Sequence, residues 1–495
     1  MVTNQPKKTH SVKFNAVMNI LLTASNMLVS IVTIPYVTRV LSVEGYGDVM
    51  FAQSVSQWFS AMCLVGVPTY GLRECARVRD NPREMARVVR ELLVIITILT
   101  AVVLTCFGVS ILIVPRFRQI AALMWVFLVS TLLLSYGVEW YFQAIEQYKY
   151  ITIRSMVFKL LSLVAMLVFV RGEDDYLAYG VILALVVCGN NVLNLARMLC
   201  MVPFSGLGPM HIGRHLKPLA SYTGLCLATS VYLTFDSILL GILSPSNVQV
   251  GLYQLASKLK GICFSVVYAI IGVLIPRLSY YAKNDLEKYG TLLRRGWGFL
   301  LNLCLGTFLY LLVYAYPLVV LISSEKYADA VLPVRIIGLV NLLSCMSYFF
   351  GLCILSPLDQ ESKLAKANLA GVPTSLVCNL LLDGTFGATG AAISVCLAEL
   401  VIFLMQLHDC WPVLKKHIDT SNMLRTFMSH IMAAAVAFAA SLPLARLNVA
   451  VQVVAGFAVY SVVWLVAALI MGETTARWTL GTLQGFLDRG KHKKI

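Results

Sequence analysis

Charged side chains are scarce in this chain, and their scarcity excludes an ordinary soluble protein. Of its 495 residues, 13% are charged and 59% are hydrophobic, and the mean hydropathy is +0.80. Soluble domains are about one quarter charged and nearer to half apolar. Apolar runs of about 20 residues recur along the whole chain, and such runs are typical of transmembrane helices.

The residue patterns of metal, disulfide and catalytic sites are missing as well. The 13 cysteines form no CxxC pair and no Cys/His cluster at metal-ligand spacing, and most lie in apolar runs. There is no Walker A glycine loop, no HExxH motif and no GxSxG motif. We therefore predict no metal, no cofactor, no direct use of ATP and no enzymatic activity.

Fourteen apolar segments are long enough to cross a membrane, so the sequence predicts an all-α polytopic protein with about 14 transmembrane helices. The first segment has no cleavage site and is expected to remain as a helix. The connections are short, and we expect no soluble domain. The predicted spans are 14–41, 49–72, 92–114, 120–142, 151–170, 177–200, 217–243, 250–279, 297–322, 332–356, 364–382, 386–408, 428–446 and 450–471.

Basic residues lie mostly on one side of this predicted membrane. The segment 73–91 alone contains six arginines, whereas the loop SVEGYGD (42–48) contains none. Of the 39 Lys and Arg residues, 30 fall on the side of the termini, seven fall on the other side, and Lys258 and Lys260 lie inside a span. Such a bias predicts that both termini are cytoplasmic. The net charge of +15 then reflects topology and attraction to anionic membrane lipids, and no nucleic acid is expected as a partner.

A short repeat suggests two related halves. The Leu-Ser exit of helix 1 recurs at the end of helix 7, and the Gly-x-x-x-x-Ala start of helix 2 recurs in helix 8, with Gly47 and Gly251 separated by 204 residues. Six helices per half would place a pseudo-two-fold axis along the membrane normal, as in alternating-access transporters. We expect two six-helix lobes, 1–205 and 206–410, followed by 411–495 with two further helices and a basic tail. A match this short also arises by chance, and that alternative stays open.

Three basic residues and one proline lie where lipid would disfavour them. A charge at mid-membrane costs on the order of 3 kcal/mol on insertion scales. Lys258 and Lys260 lie about two turns inside helix 8 and point roughly 160° apart, so at most one faces a given cavity. Arg39 follows Pro35 by one turn, and Pro35 bends the first helix into a candidate gate. The alternative for all three cations is an interfacial anchor whose long side chain snorkels to the headgroups.

Acidic and amide side chains complete the set of candidates. Asp236 in helix 7 is either a partner for a buried cation or a contact for substrate or a coupling ion. Glu399 in helix 12 has no obvious partner, and ion coupling is one role it could fill. Asn26, Gln53 and Gln57 belong to polar stripes on helices 1 and 2, which either join helices or line a hydrated lumen.

Three segments resemble the polysaccharide-transport flippases, the Wzx-type members of the MOP exporter superfamily. They are IPYVTRVLSVEGYGDVMFAQSV (34–55) with GVPTYGLRECARVRD (66–80), EWYFQAIEQYKYITIRS (139–155) and DSILLGILSPSNVQVGLYQLASKL (236–259). No single motif is specific, but the three occur in the family's order and topology, and the resemblance extends over essentially the whole chain.

The resemblance implies a flippase of the bacterial cytoplasmic membrane. Its substrate would be an undecaprenyl-pyrophosphate-linked repeat unit of O-antigen, capsule or exopolysaccharide, and polysaccharide polymerase and chain-length proteins would be candidate partners. By position, Arg39, Lys258 and Lys260 could supply the cationic cavity of the family.

Three alternatives remain. A MATE-type drug or cation antiporter would place carboxylates toward the cavity, which the lysines disfavour. A lipid II flippase belongs to the same class and is poorly separated by sequence. A membrane polysaccharide polymerase or ligase would need a large outer loop, but the longest here is SSEKYADAVLP (323–333).

Overall fold

The computed structural model describes residues 12–478, apart from several side chains in the first and tenth helices. Every regular element in this range is helical, as the apolar runs predict. The chain separates into two compact units, Met1–Gly251 and Leu252–Ile495. This boundary follows the seventh predicted span; the division at 205 and 410 stays a prediction.

Unit 1 contains ten helices. They are α1 (Val12–Val40), α2 (Val43–Leu64), α3 (Val67–Arg77), α4 (Pro82–Ile113), α5 (Pro115–Gln119), α6 (Ala121–Ser135), α7 (Glu139–Ala144), α8 (Tyr148–Phe169), α9 (Tyr176–Met201) and α10 (Gly213–Leu243).

Unit 2 contains longer helices and a bundle core rich in aromatic side chains. Trp297 stacks on Phe350 with ring centroids 5.5 Å apart. The elements are α11 (Val248–Asn284), α12 (Leu286–Ile322), a 3₁₀ turn (Glu325–Ala330), α13 (Val331–Phe349), a π-helical turn (Phe350–Leu355), α14 (Glu361–His417), α15 (Thr420–Leu444) and α16 (Val449–Ile470).

The 57-residue helix α14 is two antiparallel spans joined by a tight reversal. Gly387 interrupts it with φ of 55° and ψ of −132°, a conformation that favours glycine. The backbones on either side then touch, because a Cβ on Gly390 would collide with the carbonyl of Leu382. A Cβ on Gly371 would likewise meet Ile402 at 2.5 Å. The reversal falls between the predicted spans 364–382 and 386–408.

Ten described helices are long and apolar enough to cross a membrane. One of them is α14, which crosses twice, and α1, α2 and α10 occupy the remaining predicted spans. The helices therefore match the predicted segments one to one. The boundaries of the second span were wrong: α2 ends at Leu64, because Val65 and Gly66 both adopt positive φ and end the helix before the amphipathic α3 begins.

A buried carboxylate fixes the segment that follows α16. Glu473 is fully buried and accepts hydrogen bonds from Asn422 Nδ2 (3.1 Å), Thr426 Oγ1 (3.3 Å) and the backbone N–H of Ala476 (2.5 Å). Burial raises the pKa of Glu473, but the hydrogen bonds from Ala476, Thr475 and Asn422 outweigh that effect and leave the pKa below its ordinary value. The carboxylate thus ties residues 473–478 to α15.

Candidate functional site

Lys260 forms a membrane-embedded ion pair in unit 2. Its Nζ lies 3.4 Å from Oε1 of Glu399, and the two side chains are 21% and 6% exposed. The same oxygen accepts a hydrogen bond of 2.5 Å from Ser344 Oγ. Three helices, α11, α13 and the second half of α14, therefore meet at one polar point. The sequence offered no partner for Glu399, because the lysine that binds it lies 139 residues away.

Lys258, two residues earlier, has the opposite surroundings. Its side chain is exposed, and neither an ion pair nor a hydrogen bond joins it to any described residue. The position is ten residues from the start of α11, a rise of about 15 Å and half of a 30 Å hydrocarbon core. An ammonium at that depth does not reach the headgroups easily, so it needs water or an anionic ligand.

The other candidates on α1, α2 and α10 belong to unit 1. Arg39 is exposed in the last turn of α1, and Pro35 lies inside that helix. Gln53 is half-buried and Gln57 is exposed one turn further along α2. Asp236 is buried at 8% exposure. The side chain of Asn26 lies outside the described residues, and the roles predicted for all of these residues stay predictions.

Two further cations, Arg154 and Lys159, belong to the 30 basic residues that the sequence analysis assigned to the side of the termini. Both lie inside α8, because the helix begins at Tyr148 and the predicted span of 151–170 already contained them. Arg154 is 7% exposed and donates to Glu139 Oε2 at 3.1 Å and to Asn190 Oδ1 at 2.9 Å. The signal that could have found them was their position within an apolar run.

Arg154 and Lys159 differ in whether their side-chain nitrogens all have hydrogen-bond partners. Lys159 Nζ donates to Ser25 Oγ of α1 at 2.8 Å. Nη1 of Arg154 is buried without a hydrogen-bond partner among the described residues. A buried guanidinium nitrogen normally has a partner, so this atom has donor capacity for water or an anion.

The first turns of helices α2 and α11, each with a glycine, form a reciprocal contact at one end of unit 1. A Cβ on Gly47 would collide with the carbonyl of Asn247, and a Cβ on Gly251 would meet the carbonyl of Val43 at 2.5 Å. Val43 and Asn247 are themselves 204 residues apart, the register of the sequence repeat. A reciprocal contact between equivalent residues is what a local two-fold axis requires. We call the packing of residues 42–48 on residues 244–251 the turn contact.

Polar side chains reinforce the turn contact. Asn247 is 1% exposed and donates to Asp48 Oδ1 at 2.6 Å. Arg116 donates to Asn247 Oδ1 at 3.0 Å. Ser246 Oγ donates to Glu44 Oε1 at 3.2 Å. Sequence reasoning had used Arg116 only as a topology marker.

A second polar cluster fastens the opposite end of α10 within unit 1. Glu91 is fully buried and binds Arg214 Nη2 and His215 Nε2, both at 2.8 Å. The other ring nitrogen of His215 lies 2.8 Å from the hydroxyl of Tyr70 on α3. Helix α10 is therefore held by unit 1 at both ends, by this cluster and by the turn contact.

Fold and site together define a multi-pass helical membrane protein with cations embedded in its spans. A family model described as "Polysaccharide biosynthesis protein" matches residues 12–282. The chain belongs to that family, which confirms the flippase resemblance of its three motif segments.

Named relatives agree with this membership. A "Putative O-antigen transporter" of Escherichia coli (strain K12) is 24% identical over 410 residues, which is 80% of this chain and 96% of that protein. Its counterpart in Shigella dysenteriae is 24% identical over 80% of this chain and 99% of its own length. A "Probable low-salt glycan biosynthesis flippase" of Haloferax volcanii is 21% identical over 39% of this chain and 42% of its own length. These names confirm the prediction of a transporter in place of an enzyme.

Among solved structures, the lipid II flippase MurJ in an inward closed conformation has a similar fold. The TM-score is 0.65 at 12% identity, and the match includes 93% of this chain and 100% of that one. At this identity the likeness establishes the all-α polytopic fold alone.

A double-mutant cycle tests whether the Lys260–Glu399 ion pair stabilises the protein. Lys260→Ala and Glu399→Ala should each lower stability by about 3 kcal/mol, because each leaves an uncompensated buried charge. The double variant should lose less than the sum of the two. Apparent melting temperature of the purified protein in detergent measures this, with Lys283→Ala on the exposed end of α11 as the control. Additive losses would show that the two side chains do not interact.

Proposed function

We propose that the protein moves undecaprenyl-pyrophosphate-linked oligosaccharide repeat units across the bacterial cytoplasmic membrane by alternating access. The units would belong to O-antigen, capsule or exopolysaccharide. The observation that carries the proposal is Lys258, an embedded cation with no partner among the described residues, in a chain of the polysaccharide biosynthesis family.

The sign of the embedded charge favours an anionic substrate. Glu399 and Glu139 each have a cationic partner, Lys260 and Arg154 respectively. Lys258 has none among the described residues. An exporter of cations needs the reverse, carboxylates available to the cargo, so the antiporter alternative is disfavoured.

The chemistry of the headgroup fits such cations. A pyrophosphate does not cross hydrocarbon without a polar path, since burying unpaired charge is prohibitive. An ammonium group holds phosphate oxygens by charge-assisted hydrogen bonds, and the amides of Gln53 and Gln57 are suited to sugar hydroxyls. An inside-negative membrane potential contributes about 2.3 kcal/mol per charge per 100 mV to outward movement of an anion.

The Lys260–Glu399 pair offers a means of coupling. A phosphate that approaches Lys260 competes with Glu399 for the same ammonium. The displaced carboxylate would then take up a proton or a sodium ion, because a buried carboxylate without its cation favours a neutral state. Asp236 is the second candidate for ion coupling.

Lipid II transport is the second candidate function, because the similar MurJ fold is that of a lipid II flippase. Complementation separates the two: restoration of surface polysaccharide in a flippase-null strain supports the first, and rescue of a strain without a lipid II flippase supports the second. Polysaccharide polymerase and chain-length proteins are the partners we expect for the first.

If Lys258 contacts the substrate, removing its charge should abolish transport without lowering the amount of protein in the membrane. Lys258→Ala should lower surface polysaccharide at least tenfold in a complementation assay, and Lys258→Arg should retain most of it, because the positive charge remains. Arg39→Ala should behave like Lys258→Ala. Lys283→Ala, on the same helix but 64% exposed, is the control. Full complementation by both alanine variants at normal membrane levels would disprove the roles proposed for Lys258 and Arg39.

The turn contact predicts a gate that opens during each cycle. Cysteines at Glu44 and Ser246, in a background without the 13 native cysteines, should be joined by a short cleavable crosslinker, since the native side-chain atoms are 3.2 Å apart. The joined protein should lose transport in reconstituted vesicles and regain it on cleavage. Each single cysteine variant is the control. Undiminished transport by the crosslinked protein would show that this contact never opens.

The charge bias predicts the orientation. A phosphatase reporter fused after Gly172, in the connection between α8 and α9, should be active because that connection is outside. A reporter after Asn81, between α3 and α4, should be inactive. The opposite pair of activities would invert the proposed topology and place both termini outside.

A further inference from the structure

One face of α12 changes from basic to apolar along its length. Arg295, Phe299, Leu303, Gly306 and Tyr310 follow each other at spacings of three and four residues, so they share a face. They span about 22 Å along the helix axis. This length is most of the thickness of a 30 Å hydrocarbon core. The only charged residue of the five, Arg295, lies at one end.

Two adjoining cavities of unit 2 follow this face. The first, of about 230 Å³, is lined by Arg294, Arg295 and Trp297 together with Trp478. The second, of about 440 Å³, is apolar and runs along Phe299, Leu303 and Tyr310 against side chains of α16. Thr475 lines both, so the basic cavity opens beside the end of the apolar groove.

Contacts with neighbouring residues position the arginines and the tryptophan that line the basic cavity. Arg294 donates to the carbonyl of His417 at 2.8 Å, which leaves its other guanidinium nitrogens for further bonds. The guanidinium of Arg295 lies 5.8 Å from the centre of the Trp478 ring, a cation–π distance. The Glu473 hydrogen bonds fix the segment that carries Trp478.

An unsatisfied donor lies in the same wall. The indole nitrogen of Trp297 is buried and has no hydrogen-bond partner among the described residues. Indole N–H groups are donors only and are usually paired when buried. The lining thus has two arginines against one carboxylate, Asp419, which already caps α15 by accepting from Ser421 and Asn422.

We propose that this site binds one anionic glycerophospholipid, with its phosphate at Arg294 and Arg295 and one acyl chain in the groove. Guanidinium groups match phosphate oxygens, and the apolar wall of α12 and α16 matches a hydrocarbon chain. The length of the groove suits a single acyl chain, whereas an undecaprenyl chain is far longer. The site lies on the face that the charge bias predicts to be cytoplasmic, where anionic lipids attract basic groups. The proposal does not depend on the transported substrate.

The experiment compares two lipids with the same chains. The purified full-length protein is titrated with phosphatidylglycerol or phosphatidylcholine, and bound lipid is counted by native mass spectrometry. Arg294→Ala/Arg295→Ala should weaken phosphatidylglycerol binding roughly 10- to 30-fold, at about 1 kcal/mol per arginine, and should weaken phosphatidylcholine binding less, because the choline cation offsets the charge of its phosphate. Lys415→Ala/Lys416→Ala removes the same charge from the same face outside the cavity and should change neither.

A second variant tests the groove. Leu303→Trp fills the apolar space and should weaken long-chain phosphatidylglycerol at least fivefold, while a short-chain analogue with the same headgroup is affected less. Apparent melting temperature confirms that each variant is folded. Equal weakening by both double variants, or no weakening by Leu303→Trp, would overturn the proposal. Displacement of phosphatidylglycerol by an equimolar polyprenyl phosphate would also overturn it, since the site would then belong to the carrier lipid.

Discussion

The cost of charge in hydrocarbon is the constraint on which the candidate site depends. An embedded cation must be paired, hydrogen-bonded or in contact with water. Lys260 satisfies this rule through Glu399, whose carboxylate also accepts a hydrogen bond from Ser344, and Arg154 does so through Glu139 and Asn190. Lys258, by contrast, has no ion-pair or hydrogen-bond partner among the described residues. Two lysines on one helix therefore differ: Lys260 is paired with a carboxylate, and Lys258 is the cation that we propose contacts the anionic substrate.

Close backbone approach is the second organising feature. Helix α10 is held on unit 1 at one end by Gly47 and Gly251, where any side chain would collide with a carbonyl. At its other end the buried Glu91 gathers Arg214 and His215. The side-chain hydrogen bonds of the turn contact are exposed or half-buried, whereas the hydrogen bond between Glu91 and His215 is buried, and breaking a buried ion cluster is strongly destabilising. We infer that the turn contact is the weaker of the two attachments.

Basic residues outside the spans have a role beyond orientation. The bias that predicts cytoplasmic termini also concentrates arginines where the inner leaflet is anionic. Most of them lie on exposed helix ends, and only Arg294 and Arg295 are described in a cavity that continues into an apolar groove. The cavity between Trp297 and Trp478 gives this general attraction a candidate site with a defined shape.

The sequence by itself determined the number and order of the spans, because hydropathy is a sum over neighbouring residues and needs no knowledge of packing. It also identified Gly47 and Gly251 as equivalent positions and Lys258 and Lys260 as divergent side chains, since both follow from spacing along a helix. Only the tertiary structure decided which charges are paired. Lys260 and Glu399 are 139 residues apart, and Arg154 reaches Glu139 and Asn190 only because α7 and α9 pack beside α8. Partners in a bundle depend on which helices are neighbours, and no local pattern in the chain contains that information.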